Sequence, residues 1–450
     1  MAHLPTRSMK RRSIQAPIPA FSRRQKGAAT WLAVLLGLLL PGVDAWLRPP
    51  SPAPAQHANP HPSLPLKAEG SNSQADCGRH ASLPHTLPRW GRAGVGAGCA
   101  APVFHDNGVL QPLGGGTIPM PANTPAAHAS SLVALPAGDA HALLAFWFAG
   151  SKESAPDVGI AMAGFERASG QWSAAHWVAT RQALGQQLGF AVRRIGNPVA
   201  WRDAQGRVHL FVVATGLGGW AASRIVQLRT QNGPLDMNNQ ALAAMQFKVV
   251  RVLPLSWLFN TSLLVRTAPL ALADGGMVLP AYFELGYKYP VALRFDAQGA
   301  LLGQVRMSAR THLLQPTLLP LGAQHWLALL RDNGAQGHVA AVQTQDGGAH
   351  WQDLPDLALT NPDASVAALT SAPGQFWLAH NSAPASRQVL DLSASGDGVH
   401  WSLAQRLAQG QGGQEYSYPA LAWADDSLWV SYTDQRTRIA WQRFAVSGAH

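Results

Sequence analysis

The sequence predicts an all-β chain whose folded body is a six-bladed β-propeller, and three observations carry that expectation. Short β-branched, aromatic and aliphatic runs, each bounded by polar or glycine-containing turns, recur from about Ser131 to the C-terminus. They come in threes, and the middle run of each set recurs about every 50 residues late in the chain, the period of a propeller blade. The 43 glycines and 33 prolines are spread between the runs instead of gathered in a block, which demands many turns.

The runs define six repeats. The middle strands are Ala142 to Phe148, Val208 to Ala214, Met277 to Phe283, Trp326 to Leu330, Phe376 to Ala379 and Leu428 to Tyr432. A first strand precedes each, at Ser131, Pro198, Pro269, Thr317, Val366 and Ala420, and a third follows, at Val158, Ile225, Val291, Val339, Val389 and Ile439. The wider spacing of the first two repeats places extra length in loops. Closing such units around an axis leaves only short, protected strand edges. The turn Thr344 to Trp351, TQDGGAHW, fits the Asp-box pattern S/T-x-D-x-G-x-x-W, in which Asp and Gly shape a hairpin and Trp packs into the blade. Ala394 to Trp401 is a degenerate copy and Gly170-Gln171-Trp172 a fainter one.

Upstream of the repeats the composition changes. Residues 1–47 read as a basic region followed by a signal peptide or signal-anchor helix, since Arg7 to Lys26 precede the apolar run Ala28 to Val43, with Val43-Asp44-Ala45 as a cleavage pattern. Cleavage would leave a secreted or periplasmic protein; an uncut segment would anchor it in the membrane with the propeller outside the cytoplasm. Residues 48–100, rich in Pro, Ala and His, read as a linker, and 101–450 as the propeller. Seven of the ten net positive charges precede the first acidic residue, Asp44, so the remainder is near neutral. A near-neutral body with 13% charged residues excludes a nucleic-acid footprint. In an oxidising compartment Cys77 and Cys99 could close a disulfide loop worth about 3 kcal/mol, the alternative being two free thiols. No zinc-site spacing occurs, and neither metal nor cofactor is expected.

Strand direction places function at one rim, because the starts of first and third strands and the ends of second strands meet there while Asp-box hairpins lie at the other end. First-strand starts carry His128, Asn197, Arg266, Gln315, Asn361 with Asp363, and Glu415 with Tyr416 and Tyr418. Second-strand ends carry Glu153, Glu284, Arg331, His380 with Asn381, and Asp434; third-strand starts carry Asp157, Arg224, Arg387 and Arg436. Carboxylates, tyrosines and arginines thus converge on one concave mouth, the kind of site ligands prefer. Singly, His380 reads as a satisfied structural histidine, and the pairs Asn197-Pro198, Gln315-Pro316 and Asn361-Pro362 read as turn devices.

The Asp-box, WFAGSKESAPDVGI at Trp147 to Ile160, NPDASV at Asn361 to Val366, and EYSYPAL followed by YTDQR resemble the BNR-repeat sialidase superfamily over about His128 to Val446. That resemblance implies a six-bladed propeller and a retaining exo-glycosidase acting on an acidic sugar. It makes Asp157 the acid/base that protonates the leaving oxygen and Tyr416, followed by Ser417, the nucleophile. Arg331 and Arg387 would be two of three arginines clamping the substrate carboxylate, with Arg266 or Arg436 contributing and Glu153, Asn197, Asn381 and Tyr418 completing the binding surface. Where the superfamily has Phe-Arg-Ile-Pro, this chain has Gly116-Thr117-Ile118-Pro119, so Thr117 replaces the first clamp arginine. The glutamate that activates the tyrosine aligns with Gln315, leaving Glu415 or Glu284 as substitutes. Two other readings remain: a polysaccharide lyase acting on uronates, and a non-catalytic glycan-binding propeller. The partner in each is a carbohydrate, with the membrane added if the N-terminal segment is uncut, and the sequence sets no oligomeric state.

Overall fold

Short antiparallel strands with one apolar face cannot bury that face alone, and this chain solves the problem by stacking sheets around an axis. In the computed structural model, residues 110–231, 242, 244–256 and 260–446 are described. The signal or anchor segment, the linker, and Cys77 and Cys99 lie outside the described residues. Among the described residues, no helix is long and apolar enough to cross a membrane.

Six antiparallel sheets form the blades. The described residues open with β1 (Leu110–Thr117), and blade one follows as β2 (Ala126–Ala134), β3 (His141–Gly150) and β4 (Gly159–Glu166), with β5 (Gln171–Trp172) and β6 (His176–Ala179) both pairing with β4. Blade two is β7 (Arg194–Arg202), β8 (Val208–Thr215), β9 (Ser223–Thr230) and β10 (Phe247–Val252). Blade three has a divided inner strand, β11 (Leu263–Val265) and β12 (Leu270–Ala271), beside β13 (Met277–Leu285), β14 (Tyr287–Phe295) and β15 (Leu301–Arg306). Blade four is β16 (Leu313–Pro320), β17 (Trp326–Asp332), β18 (Ala340–Thr344) and β19 (Gln352–Asp353). Blade five is β20 (Ala367–Ala372), β21 (Gln375–Asn381), β22 (Val389–Ser395) and β23 (Ser402–Gln409). Blade six is β24 (Tyr416–Ala424), β25 (Ser427–Asp434) and β26 (Arg438–Val446), completed by β1, which pairs antiparallel with β26. The N-terminal strand therefore latches the last blade and closes the ring.

All three expected strands of every repeat are present, and the propeller has six blades. The extra length after blade one is not only loop: it holds helix α1 (Arg181–Leu188), capped by the Thr180 hydroxyl accepting from Ala183 N at 3.2 Å and ended by Gly189 at φ 71°.

The innermost strands share a kink. Ala129, Asn197, Gln315 and Tyr418 have φ of 56°, 41°, 50° and 54°, and each lies where pairing with the second strand slips, at 128/131, 196/199, 314/317 and 417/420. Three of the four precede proline, which has no N–H to give the ladder. Such a bulge re-aims one side chain. In blade three the same place is the gap between β11 and β12, occupied by Arg266. Hydroxyls then join neighbouring blades: Ser131 Oγ accepts from Ala200 N at 3.1 Å and Thr317 Oγ1 from Ala368 N at 3.0 Å between inner strands, and Thr433 Oγ1, on the second strand of blade six, from Ala129 N at 3.1 Å.

The opposite end holds the Asp-boxes. In the first, Gly348 N donates to Thr344 Oγ1 (3.0 Å), His350 N to Asp346 (2.9 Å) and Trp351 Nε1 to Gly348 O (3.1 Å). The degenerate copy folds the same way, with Gly398 N on Ser395 Oγ (2.8 Å) and Trp401 Nε1 on Gly398 O (2.9 Å). Both are structural turns.

At that end a buried node joins blades two and three. Asp203 accepts from Arg207 Nε (2.7 Å) and His209 Nε2 (3.0 Å), while Gln227 Nε2 reaches His209 Nδ1 (3.0 Å) and Gly299 O (3.1 Å). Burial holds His209 below its ordinary value of 6.5. Burial alone would raise Asp203, but the bonds from His209 and Arg207 outweigh it and lower the carboxyl. Both folded values lie below the unfolded ones, so the node's stabilisation is complete above pH 6.5 and is lost as acid protonates His209 and then Asp203. Asp203→Asn should cost about 3 kcal/mol. In urea unfolding that appears as a lower midpoint with an unchanged slope, and an unchanged midpoint contradicts the node's role.

Candidate functional site

Because the pleat alternates, consecutive residues of an inner strand cannot all face the axis, and the bulges decide which ones do. Gln315, the bulge residue of blade four, directs its amide to two phenols, with Nε2 3.4 Å from Tyr282 Oη and 3.5 Å from Tyr418 Oη. Arg331 Nη1 donates to Gln315 Oε1 at 3.4 Å, which fixes the amide with its donor side toward the phenols. Asn197, the bulge residue of blade two, brings Nδ2 to 3.5 Å from Tyr282 Oη. Tyr418, the bulge residue of blade six, meets the His128 ring at 4.1 Å between centroids and the Arg266 guanidinium at 5.0 Å. Residues from blades one, two, three, four and six therefore converge on one pair of phenols.

Around this centre runs a chain of charges. Lys288 bonds Asn333, Asn333 Nδ2 bonds Asp363 at 2.9 Å, and Asp363 takes Arg331 Nε at 2.6 Å. The Asp363 carbonyl accepts from Arg387 Nη2 at 2.7 Å, and Arg387 Nη1 reaches Glu415 at 3.2 Å. Glu415 also takes Arg436 Nε at 2.9 Å, and Arg436 pairs with Glu153 of blade one. Beneath the Arg436–Glu153 pair, a cavity of about 10 Å³, enough for one water, opens over His128.

The BNR repeat-like domain family matches residues 141–430. The chain belongs to that family. No curated protein matches its sequence significantly. Among solved structures it resembles the Hadza microbial sialidase Hz136 (15% identity, TM-score 0.56, 72% of this chain and 66% of that one). It also resembles a protein of unknown function from Dyadobacter fermentans (11%, 0.57, 75% and 99%) and Trypanosoma rangeli sialidase (11%, 0.56, 73% and 57%). The last has also been solved with sialic acid and, with 2,3-difluorosialic acid, as a covalent intermediate. The fold is that of the BNR-repeat sialidases, and this chain spans about two thirds or less of the two sialidases' length.

Within this BNR-repeat propeller several sequence expectations need correction. Tyr416 does not face the axis: its ring packs against Tyr432 (6.3 Å) and Gly410, between blades five and six, because it lies on the opposite face of β24 from Glu415 and Ser417. Tyr418 occupies the centre instead. Arg266 is not at the substrate surface. It is 2% exposed, and its Nη1 and Nη2 are spent on Ser130 O (3.1 Å) and Pro419 O (2.9 Å). Asn381 is a buried tie, its Nδ2 donating to Val389 O and Tyr416 O at 2.8 Å. His380 is satisfied by Thr360 O (3.1 Å) and Ser393 Oγ (3.0 Å), as a structural histidine should be. Thr117 ends the outer strand β1, exposed. Asp157 is exposed on the β3–β4 loop, where Ser151 N (2.8 Å) and Oγ (2.9 Å) donate to its carboxylate. Tyr282 and Asp363 complete the centre; the first was hidden as an ordinary strand residue.

Environment separates the ionisable groups. Desolvation would raise Asp157, but the Ser151 bonds prevail and lower it. Burial likewise opposes ionisation of Glu415, yet Arg436, Ser417 and Arg387 hold it down at about 2. Glu284 moves the other way, raised by burial against the pull of Arg331 and Lys288. Burial, then Arg436 and Arg266, lower His128 well below its ordinary value, so the imidazole is neutral. Tyr282 is raised by burial and by Glu284.

Glu415 therefore stabilises the mouth fully above its unfolded value of 4.5, and that contribution is lost as pH falls toward about 2. Melting temperatures of wild type and Glu415→Gln should differ at neutral pH and converge across that interval. A gap that persists at the acid end contradicts the assignment.

Proposed function

We propose that this protein hydrolyses the glycosidic bond of an acidic sugar with retention, using Tyr418 as the nucleophile. The observation that carries this reading is the Tyr418 phenol among residues of several blades, with Arg331 and Arg436 acting on it electrostatically and Arg387 joined to them through Asp363 and Glu415. A substrate carboxylate would exchange with Asp363 and Glu415 for the forked donors of Arg331 and Arg387, setting the anomeric carbon over Tyr418. Asp157, on its exposed loop, would serve the leaving oxygen. The sialidases among the fold neighbours support the sugar class.

A second reading, a glycan-binding propeller without turnover, is favoured by one observation. Gln315 donates toward Tyr418 Oη and cannot take its proton. Fluorogenic sialosides, uronides and neutral glycosides separate the readings. Release of fluorophore from an acidic sugar alone supports hydrolysis; binding without release supports the second reading. A product absorbing in the ultraviolet points to a lyase.

Tyr418→Phe should lower kcat by at least about 1,000-fold, whereas Tyr416→Phe should remain near wild type. The reverse pattern returns the nucleophile to Tyr416. Arg331→Ala and Arg387→Ala should each raise KM for the acidic substrate about 10- to 100-fold, the worth of a charge-assisted hydrogen bond, and leave neutral glycosides unaffected.

A further inference from the structure

The centre holds a buried cation without a counterion. Among the described residues no carboxylate pairs with Arg266, and its Nε has no hydrogen-bond partner. A fully buried, unpaired charge is costly, and burial pushes this guanidinium down to about 10. What it does contact is Tyr418, on whose ring it lies at 5.0 Å and whose next carbonyl, Pro419 O, it binds at 2.9 Å. The phenol meets a second donor at its oxygen, Gln315 Nε2, oriented by Arg331. The charged and titratable groups facing Tyr418 are His128, Arg266, Tyr282, Arg331 and Arg436, and none is a carboxylate.

We infer that Arg266 and Gln315 are positioning residues that make Tyr418 nucleophilic by stabilising negative charge on its oxygen, in place of a carboxylate that removes its proton. The inference deepens the hydrolase reading and takes Tyr418 from it. In the first half-reaction the Tyr418 Oη–anomeric carbon bond forms and the glycosidic C–O bond breaks, its electron pair going to the leaving oxygen. The phenol's proton passes by way of water to the ionised Asp157 and from there to that oxygen. In the second half water attacks the anomeric carbon, the Oη–carbon bond breaks, and a proton from that water returns to Tyr418. Arg266 and Gln315 exchange no proton; they stabilise the negative charge that develops on Oη as the proton leaves before the Oη–carbon bond is complete, and again as that bond breaks.

The test reads phenol reactivity without sugar chemistry. The full chain is treated with a small aryl sulfonyl fluoride, in which a phenol oxygen bonds sulfur, fluoride leaves and the proton goes to buffer, and labelled tyrosines are mapped by mass spectrometry. Tyr418 should label faster than Tyr416, and Arg266→Met and Gln315→Glu should each slow it by about 10-fold or more, with Arg266→Lys recovering part of the loss. Gln315→Glu is decisive because it restores the proton acceptor: faster labelling or higher kcat in that variant overturns the inference. Equal labelling of Tyr418 and Tyr416 in the wild type also overturns it. Melting curves identify a variant that has merely unfolded, and Gln315→Glu, nearly isosteric, keeps the question open to test if Arg266→Met does unfold. Fast labelling at Tyr418 without turnover of any glycoside would sink the hydrolase reading and leave the activated phenol standing.

Discussion

The arrangement depends on one backbone constraint, the break in the innermost strand of five of the six blades. A regular strand would send alternate side chains into the mouth and into the neighbouring sheet, and no two adjacent residues could serve the same cavity. At Asn197, Gln315 and Tyr418 a positive φ before proline interrupts that alternation, and each of these side chains reaches the central phenols. Left-handed backbone at a residue with a side chain costs of order 1–3 kcal/mol, and it persists because the surrounding structure over-determines it. Here the over-determination is visible: hydroxyls of Ser131, Thr317 and Thr433 tie neighbouring blades together just beside the breaks.

That constraint also accounts for the electrostatics. Arginines brought to a mouth from neighbouring blades repel one another unless carboxylates lie between them. Asp363 lies between Arg331 and Arg387 and Glu415 between Arg387 and Arg436, and Glu153 ends a chain that crosses from blade four through blades five and six to blade one. The pairs are partly solvent-exposed, so each adds little stability by itself. Their consequence is directional: each guanidinium is held in place by its partners, and under the proposed function it would exchange one carboxylate for another. Arg266 stands outside this exchange because it is sealed under Tyr418.

Much of the fold was legible because the middle strands are rich in apolar residues and buried over nearly their whole length. The fourth strands were not. Strands β15 and β23 alternate weakly and are half exposed, and β19 is only Gln352–Asp353. The latch β1 was hidden for the same reason, since LQPLGGGT has no apolar face and gains its place from the edge of β26. At the site, motif resemblance pointed to Tyr416, while the physical signal lay one step on. Tyr418-Pro419 repeats the dipeptide pattern of Asn197-Pro198 and Gln315-Pro316, and aligning those three would have placed Tyr418 on the axis. Arg266 and Tyr282 could not be read out, because burial at the centre depends on how the blades close.

The protonation states at the mouth limit what chemistry it can carry. Asp157 and Glu415 are both held below the ordinary carboxylate range, the first by Ser151 and the second by arginines, so in the resting site neither is a reservoir of protons. His128 is neutral, and the cations around it oppose its charging. Of these three carboxyls, Glu284 alone keeps its proton to higher pH than usual, and it does so beside Arg331 rather than on the Asp157 loop. In the proposed hydrolysis the proton for the leaving glycosidic oxygen would begin on the Tyr418 nucleophile or on solvent. Under the proposed hydrolysis the site would differ from a tyrosine–glutamate couple in the direction of proton flow: Tyr418 would supply the proton, the ionised Asp157 would carry it, and fixed positive charge would make up for the absent base.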